Sequence, residues 1–229
     1  MSLSDYNGEE IIANLIFRKG KKIEERVWIP RSVFNDPQGK DAYIIGNGKS
    51  RIGFDLNILP KDTYGCNAVY RDYAPNYLVC VDRHMYQEIK ESGYNENNIV
   101  YTNHLNMTKI GGTAHLIPKN PYKGTGPTAT HIALIDGHTN FYMLGFDCSE
   151  SGKDNNVYVD TPCYNDKDTE VNVAVWGKQI YDIIKANDQA TFTFVEGSQP
   201  QYYQDLSNYR TMTYAELNTH INQHGQKNN

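Results

Sequence analysis

The chain has 229 residues, of which 39% are hydrophobic and 21% charged, a composition typical of a folded globular protein with one sizeable core. Its formal net charge of −5 argues against an extended nucleic-acid surface, which needs clustered lysine and arginine. The longest early apolar run, residues 11–17, is interrupted by Asn14 and is too short to span a bilayer. No signal-peptide layout opens the chain. We therefore expect a cytoplasmic protein without a membrane span.

The first forty residues differ in pattern from the rest of the chain. We predict that residues 1–40 form an N-terminal arm or hairpin packed on a single domain of residues 41–229. The basic cluster at residues 18–22 is followed at once by Glu24 and Glu25, which favours a solvated turn. The four cysteines form no CxxC pair, so we expect reduced thiols rather than a disulfide framework or a zinc site.

From Asp41 onward, strand-like and helix-like segments alternate. Strands are predicted, in chain order, at residues 43–46, 64–67, 77–81, 98–101, 141–144 and 191–195. Helices are predicted at residues 84–92, 128–136 and 171–186. The residues before Lys123, flanked by His104 and His115, are predicted as a loop. This alternation predicts an α/β, Rossmann-like fold, with a mostly parallel sheet, helices on both faces and the small N-terminal arm or hairpin.

The sequence DAYIIGNGKSR, residues 41–51, predicts a buried strand that breaks at a glycine-rich turn. A P-loop needs a glycine five residues before Gly48, but Tyr43 stands there. The dinucleotide fingerprint GxGxxG matches at Gly46 and Gly48 and fails at Arg51. The local pattern leaves two readings open: a turn whose backbone approaches a phosphate or ribose, and a plain tight turn.

Four stretches carry a resemblance: IIGNGKSRIGFDLNILP at residues 44–60, TYGCNAVYRDYAPNYLVCVD at 63–82, GTG at 124–126 and GFD at 145–147. In this order they resemble the motifs of a known superfamily. Its bacterial members are the lipooligosaccharide sialyltransferases and the motility accessory factor glycosyltransferases. Its archaeal members are the hydroxymethylpterin diphosphokinases, and similar open reading frames occur in tailed phages. The family's G-N-G-P-S turn corresponds to residues 46–50, with Lys49 in place of proline. Its C-N strand end corresponds to Cys66 and Asn67. Its T/S-S-G turn and its G-x-D strand end correspond to residues 124–126 and 145–147.

The resemblance implies a nucleotide site at the carboxyl ends of the strands. The residues that would line it are Gly46, Asn47, Gly48, Ser50, Asn67, Thr125, Gly126 and Asp147. Topology points to the same edge, because ligands of open parallel sheets bind outside the carboxyl ends of the strands. An asparagine amide both donates and accepts, as the recognition of a base or ribose requires.

The family also implies chemistry. The sialyltransferases use a CMP-sugar donor without metal, a histidine base and tyrosine hydroxyls that stabilise the departing phosphate. Candidate bases here are His104 and His115, and Asp82 is a further candidate catalytic residue; Tyr158 and Tyr164 lie where a lid would form.

The diphosphokinases imply a different requirement, Mg²⁺ with ATP, for which Asp82 and Asp147 would share a site. Asp166 and Asp168 form a weaker DxD-like candidate. We expect a nucleotide-dependent transferase, glycosyltransferase-like, with a small-molecule donor, an unidentified acceptor and a homo-oligomer as an open possibility. The alternatives are a Mg²⁺-dependent diphosphokinase-like enzyme and a non-catalytic nucleotide-binding or structural phage-type protein.

Overall fold

The structure, a computed structural model, describes residues 9–18, 21–30, 41–117, 122–148, 156–164 and 173–224. Asp166 and Asp168 lie outside these residues. The strands are β1 Glu9–Arg18, β2 Lys21–Pro30, β3 Asp41–Ile45, β4 Thr63–Cys66, β5 Tyr77–Cys80, β6 Val100–Thr102, β7 Gly112–Leu116, β8 Asn140–Leu144, β9 Thr191–Val195 and β10 Tyr209–Met212. The α-helices are α1 Arg83–Glu91, α2 His104–Ile110, α3 Thr125–Ile135, α4 Val173–Ala186 and α5 Tyr214–His224.

The described strands form one open sheet in the order β10-β9-β8-β3-β4-β5-β6-β7-β1-β2. Every neighbouring pair from β10 to β7 is parallel, whereas β1 is antiparallel to both β7 and β2. The predicted Rossmann-like α/β fold is confirmed, including the hairpin-like pairing within the first forty residues. The division of the chain at residue 40 stays a prediction.

The central strands are buried on both sides because helices cover both faces of the sheet. In β3, Ala42 and Ile44 pack with the residues of α3 and α4, whereas Tyr43 and Ile45 pack on the opposite face with α5. Helices α1 and α2 cover that second face farther along, over β5 and β6. None of the described helices is both long and apolar enough to cross a bilayer.

The loop predicted between His104 and His115 is wrong. Residues 104–110 form α2, whose first turn is stabilised by the Asn103 side chain accepting from the Asn106 N–H. Residues 112–116 form β7, which pairs with β6 on one side and with β1 on the other. The sheet also continues past residue 195 into β10, and the pattern missed that strand and α5.

The strand order places a topological switch point between β3 and β8. From β3 the chain steps outward in one direction through β4, β5, β6 and β7, and it then returns to the other side of β3 with β8. In open α/β sheets ligands bind at the carboxyl edge beside such a switch point, and here the loops after β3 and β8 pack against each other at that edge. The site is built on this edge.

Candidate nucleotide site

Polar side chains from separate parts of the chain meet at the carboxyl edge. Asn67 follows β4, and its amide nitrogen donates to the Asp82 carboxylate, 2.9 Å away, just beyond β5. Thr125, the first residue of α3, has its hydroxyl 3.0 Å from the Asn67 amide oxygen and 3.3 Å from the same Asp82 carboxylate. The predicted convergence of Asn67 and Thr125 is present, and Asp82 belongs to the same cluster.

Asn47 and Tyr164 extend this cluster toward β3. The Asn47 amide donates to the Tyr164 hydroxyl over 2.9 Å. Burial, and after it the nearby Asp82 carboxylate, raise the pKa of Tyr164. The Asn47 amide oxygen is buried and has no hydrogen-bond partner among the described residues. It is therefore a buried acceptor that none of the described residues satisfies.

Asn67 has a backbone conformation that few residues adopt. Its φ is +52°, in the left-handed region, where asparagine is tolerated better than other non-glycine residues. The conformation directs the chain from β4 into the short 3-10 turn Asn67–Arg71. Because this strain is placed at the strand end that carries the amide, it fits a functional role for the residue.

The N-terminus of α3 has no side-chain cap from its own N-cap residue. Gly124 at the N-cap supplies no side-chain hydrogen bond, and the first turn carries no acidic residue. The Lys123 and Gly124 N–H groups donate instead to the Gln179 side chain of α4, which fixes the start of the helix. Uncapped helix N-termini favour phosphate through their partial positive charge.

The glycine turn after β3 is built differently from a phosphate cradle. The N–H groups of Gly46 and Gly48 donate to the carbonyls of Leu144 and Gly145, at 2.8 and 2.9 Å. The Ser50 N–H donates to the Asp147 carboxylate at 3.1 Å. These three N–H groups are consequently used within the protein, which favours the reading as a tight turn, and the roles of Gly46, Gly48 and Ser50 at a nucleotide stay predictions.

Close packing explains why glycines occupy this turn. A Cβ atom at Gly46 would lie 2.5 Å from the Gly145 carbonyl oxygen, and one at Gly48 would lie 2.4 Å from the Asp147 carboxylate. Gly126 is constrained in the same way, because a Cβ atom there would lie 2.8 Å from the Phe146 ring. Nor is the turn a P-loop, since Gly48 leads only into the three-residue 3-10 turn Lys49–Arg51. Beside the polar cluster there is thus a closely packed junction between loops, here called the joint. It consists of Gly46, Gly48, Ser50, Gly126 and Asp147.

Arg51, which no sequence pattern singled out, anchors this joint. Its side chain is 5% exposed, and its Nε donates to the Gly46 carbonyl at 3.0 Å. The guanidinium also pairs with Asp72 at 3.4 Å and donates to the Tyr158 hydroxyl at 2.7 Å. A buried arginine five residues after a glycine has no recognisable sequence signal.

Residues 156–164, here called the cover segment, lie across the edge of the site. The Val157 N–H donates to the Asn47 carbonyl at 2.8 Å, and the Tyr158 hydroxyl contacts Asp72. Arg71 donates to Thr161 and to the Pro162 carbonyl at 2.7 and 2.9 Å. The two tyrosines noted in the sequence therefore belong to a segment held against the strand ends, as a lid would require.

The two candidate histidines lie in different environments. His104 is exposed at the start of α2, close after the end of β6. His115 is 8% exposed within β7, level with Tyr101, and its ring packs edge-on against that tyrosine at 5.2 Å. The hydrogen bonds of the cluster described above are made by other side chains, and the roles of His104 and His115 as bases stay predictions.

The two candidate metal carboxylates have different partners. Asp82 is exposed and bonded to Asn67 and Thr125, whereas Asp147 is 4% exposed beneath Ser50. Among the described residues, no group of three or more His, Cys, Asp or Glu side chains is arranged to hold a metal ion. A shared Mg²⁺ site for Asp82 and Asp147 remains a prediction.

Comparison with known proteins found matches only among solved structures. No protein-family profile and no curated protein matches the chain. The sialyltransferase CST-II in complex with a trisaccharide acceptor and CMP is 17% identical over 68% of this chain and 80% of its own, with a TM-score of 0.42. CstII from Campylobacter jejuni in complex with CMP-3FNeuAc is 16% identical over 68% of this chain and 80% of its own, with a TM-score of 0.39. The same protein in complex with cytidine-5'-monophosphate is 17% identical over 68% of this chain and 79% of its own, with a TM-score of 0.42. The chain is similar to these proteins in fold class.

Proposed function

We propose that this protein is a nucleotide-dependent transferase that uses a nucleotide-sugar donor of the CMP-sugar kind, with its site at Asn47, Asn67, Asp82 and Thr125. The observation that carries the proposal is the convergence of these side chains, from the ends of three neighbouring strands and the start of α3. Parallel α/β sheets bind ligands at this edge. The motif resemblance of the same segments to the sialyltransferase superfamily supports the transferase chemistry.

Each part of the cluster offers a different contact to a nucleotide. The Asn47 amide oxygen accepts from a ribose hydroxyl or a base amine, because none of the described residues donates to it. The uncapped first turn of α3 receives a phosphate. Asp82 carries the carboxylate of the cluster and is exposed, so it reaches an acceptor hydroxyl and serves as general base. We place this reaction in the cytoplasm.

The first experiment measures nucleotide binding. CMP, CDP, UDP, GDP and ATP are added to the protein with and without Mg²⁺, and the melting temperature is recorded. A nucleotide at 100 times its Kd adds about 2.7 kcal/mol to the free energy of unfolding. A response to ATP only with Mg²⁺ identifies the diphosphokinase-like alternative. No response to any nucleotide overturns the proposal.

The second experiment tests the cluster itself. Asn67→Gly removes the amide and keeps a backbone that accepts φ of +52°, whereas alanine would add strain. Loss of this hydrogen-bonding group weakens nucleotide binding by about 1–3 kcal/mol. The matched control is Asn140→Ala, which removes another Asn–Asp contact, to Asp41 at 2.8 Å, at the amino edge of the sheet. Equal affinity in both variants would show that Asn67 does not bind the nucleotide.

A third measurement separates catalysis from binding. A donor sugar nucleotide is incubated with the protein, and release of the free nucleotide is followed by chromatography. Turnover supports the transferase. Binding without turnover, over a panel of donors and acceptors, supports the non-catalytic alternative.

A further inference from the structure

The outer edge of β2 has no partner among the described strands. β2 pairs with β1 along all ten residues, from Pro30 opposite Glu9 to Lys21 opposite Arg18, and it ends the sheet. A long edge strand of this kind has a second row of backbone N–H and C=O groups and is a template for pairing with another chain.

The part of β2 nearest its turn extends beyond the body of the sheet. β1 pairs with β7 only at residues 11–15, so its last three residues, 16–18, run past the start of β7. Those three residues are opposite Lys21, Lys22 and Ile23 of β2. A second chain can therefore approach this end of the ribbon along the edge without displacing any of the described strands.

The same stretch of β2 has a self-complementary charge pattern. It reads Lys21, Lys22, Ile23, Glu24, Glu25, two positive residues and two negative residues on either side of one apolar residue. Reversing the direction of this pattern exchanges the signs. An antiparallel copy of the stretch therefore has the charges that match the original.

We propose that two copies of this chain pair antiparallel through their β2 edges, about a two-fold axis at Ile23. In this register Lys21 is opposite Glu25 of the partner subunit, and Lys22 is opposite Glu24 of the partner subunit. The pairing is isologous, so each contact occurs twice and four opposite-charge pairs result. Opposite charges placed across strands stabilise a sheet, and like charges destabilise it.

The register also satisfies the geometry of an antiparallel ladder. Alternate residues of a strand direct their backbone hydrogen-bonding groups to the same side, so a new ladder must join positions of equal parity. Positions 22 and 24 have equal parity, as do 21 and 25, and position 23 is opposite itself. Residues 21–25 themselves carry no net charge, but Arg18, Lys19 and Arg26 beside them are positive, so the four opposite-charge pairs must outweigh that local repulsion.

The test uses charge reversal and mixing. One variant carries Glu24→Lys with Glu25→Lys, and the other carries Lys21→Glu with Lys22→Glu. Sedimentation equilibrium on the full chain should show that each variant alone dimerises at least about tenfold more weakly than the wild type, since four attractive pairs become repulsive. An equimolar mixture of the two should restore the dimer, because the charges match again.

A fourfold variant combining all four reversals keeps the self-complementary pattern with the signs exchanged, and it should dimerise like the wild type. The control reverses an exposed pair on α4, Lys178→Glu with Asp182→Lys, and should leave the association constant unchanged. Circular dichroism of each variant verifies that the fold is retained. Added salt should weaken the wild-type dimer, because the charge pairs are screened.

Three results would overturn the proposal. The first is a monomeric wild-type chain at concentrations up to about 0.5 mM, well above the dissociation constant of a small interface. The second is a dimer that either double reversal leaves intact, which would show that the copies associate through another surface. The third is a mixture of the two reversed variants that stays monomeric, or that forms only the complexes each variant forms alone.

Discussion

At the scale of single residues, the crowded joint between the loops after β3 and β8 determines which substitutions the site tolerates. Gly48 has an ordinary negative φ of −65°, so its requirement for glycine is one of space rather than of backbone conformation. The Asp147 carboxylate and the Gly145 carbonyl occupy the positions where a side chain would start. The glycine therefore holds the two loops together, and the polar cluster depends on it indirectly.

Gly48→Ala should lower the free energy of unfolding by about 1–3 kcal/mol, because a methyl group 2.4 Å from the Asp147 carboxylate forces the loops apart. Gly177→Ala is the matched control. Gly177 lies within α4, and a Cβ atom there would have no neighbour closer than the Cys148 carbonyl oxygen at 3.6 Å. The substitution should therefore leave the free energy of unfolding unchanged or raise it by up to about 1 kcal/mol. Urea denaturation of both variants gives the comparison. Equal effects would mean that the joint can relax without cost.

Asp82→Asn should reduce turnover by about 10²–10⁴-fold if the carboxylate takes the proton of the acceptor. The amide retains the shape of the side chain and can still accept from Asn67 and Thr125, so nucleotide affinity should change little. Initial rates over a range of pH and calorimetric titration with the nucleotide measure the two effects. His104→Ala serves as the parallel variant, and a larger loss there would move the base to α2.

At the scale of elements, Glu88 of α1 links the helix to the cover segment through Arg71. Its carboxylate accepts from Tyr70 at 2.6 Å and from two nitrogens of Arg71 at 2.9 and 2.7 Å. Arg71 in turn holds Thr161 and Pro162. Burial alone would raise the pKa of Glu88, but hydrogen bonds from Tyr70 and Arg71 outweigh it and hold the pKa below its usual range.

A depressed carboxyl pKa stabilises the folded state above the unfolded value of about 4.3 and loses that contribution as the pH falls through the lower folded value. Glu88→Gln should therefore reduce the slope of stability against pH below about pH 4.3. Chemical denaturation at several pH values measures the slope. Glu91→Gln, an exposed neighbour at the end of α1, is the control. Identical slopes in wild type and Glu88→Gln would contradict the assignment.

Sequence patterns predicted strands well where aromatic and β-branched residues are concentrated. Residues 191–195 alternate Thr and Phe around a β-branched end and form β9 with the predicted bounds. The missed pair, α2 and β7, has few apolar residues. Helix α2 depends on the Asn103 cap, and β7 becomes a strand because β6 and β1 lie on either side of it. A strand of this kind is specified by its neighbours, which local patterns do not include.

At the scale of the whole molecule, the N-terminal ribbon completes the sheet at the β7 side. A variant that lacks residues 1–40 should keep the eight parallel strands folded, because residues from position 42 onward pack with one another in the described clusters on both faces of the sheet. It should aggregate more readily, since removal of β1 exposes the edge of β7. Far-UV circular dichroism and light scattering measure the two effects. Loss of all cooperative unfolding would show that the arm is part of the domain.

The sequence by itself determined the α/β class, the central strands and the position of the polar residues at strand ends. These features follow from local hydrophobic runs, from glycine and proline signals and from the rule that parallel strands end at one edge. Only the tertiary structure decided what the N–H groups of the glycine turn bind. From the sequence they could face either a ligand or the loop after β8. Because β8 lies next to β3, that loop is within hydrogen-bonding distance of the turn. The roles of Arg51 and the cover segment were decided there too, since each depends on residues that are far apart in the chain.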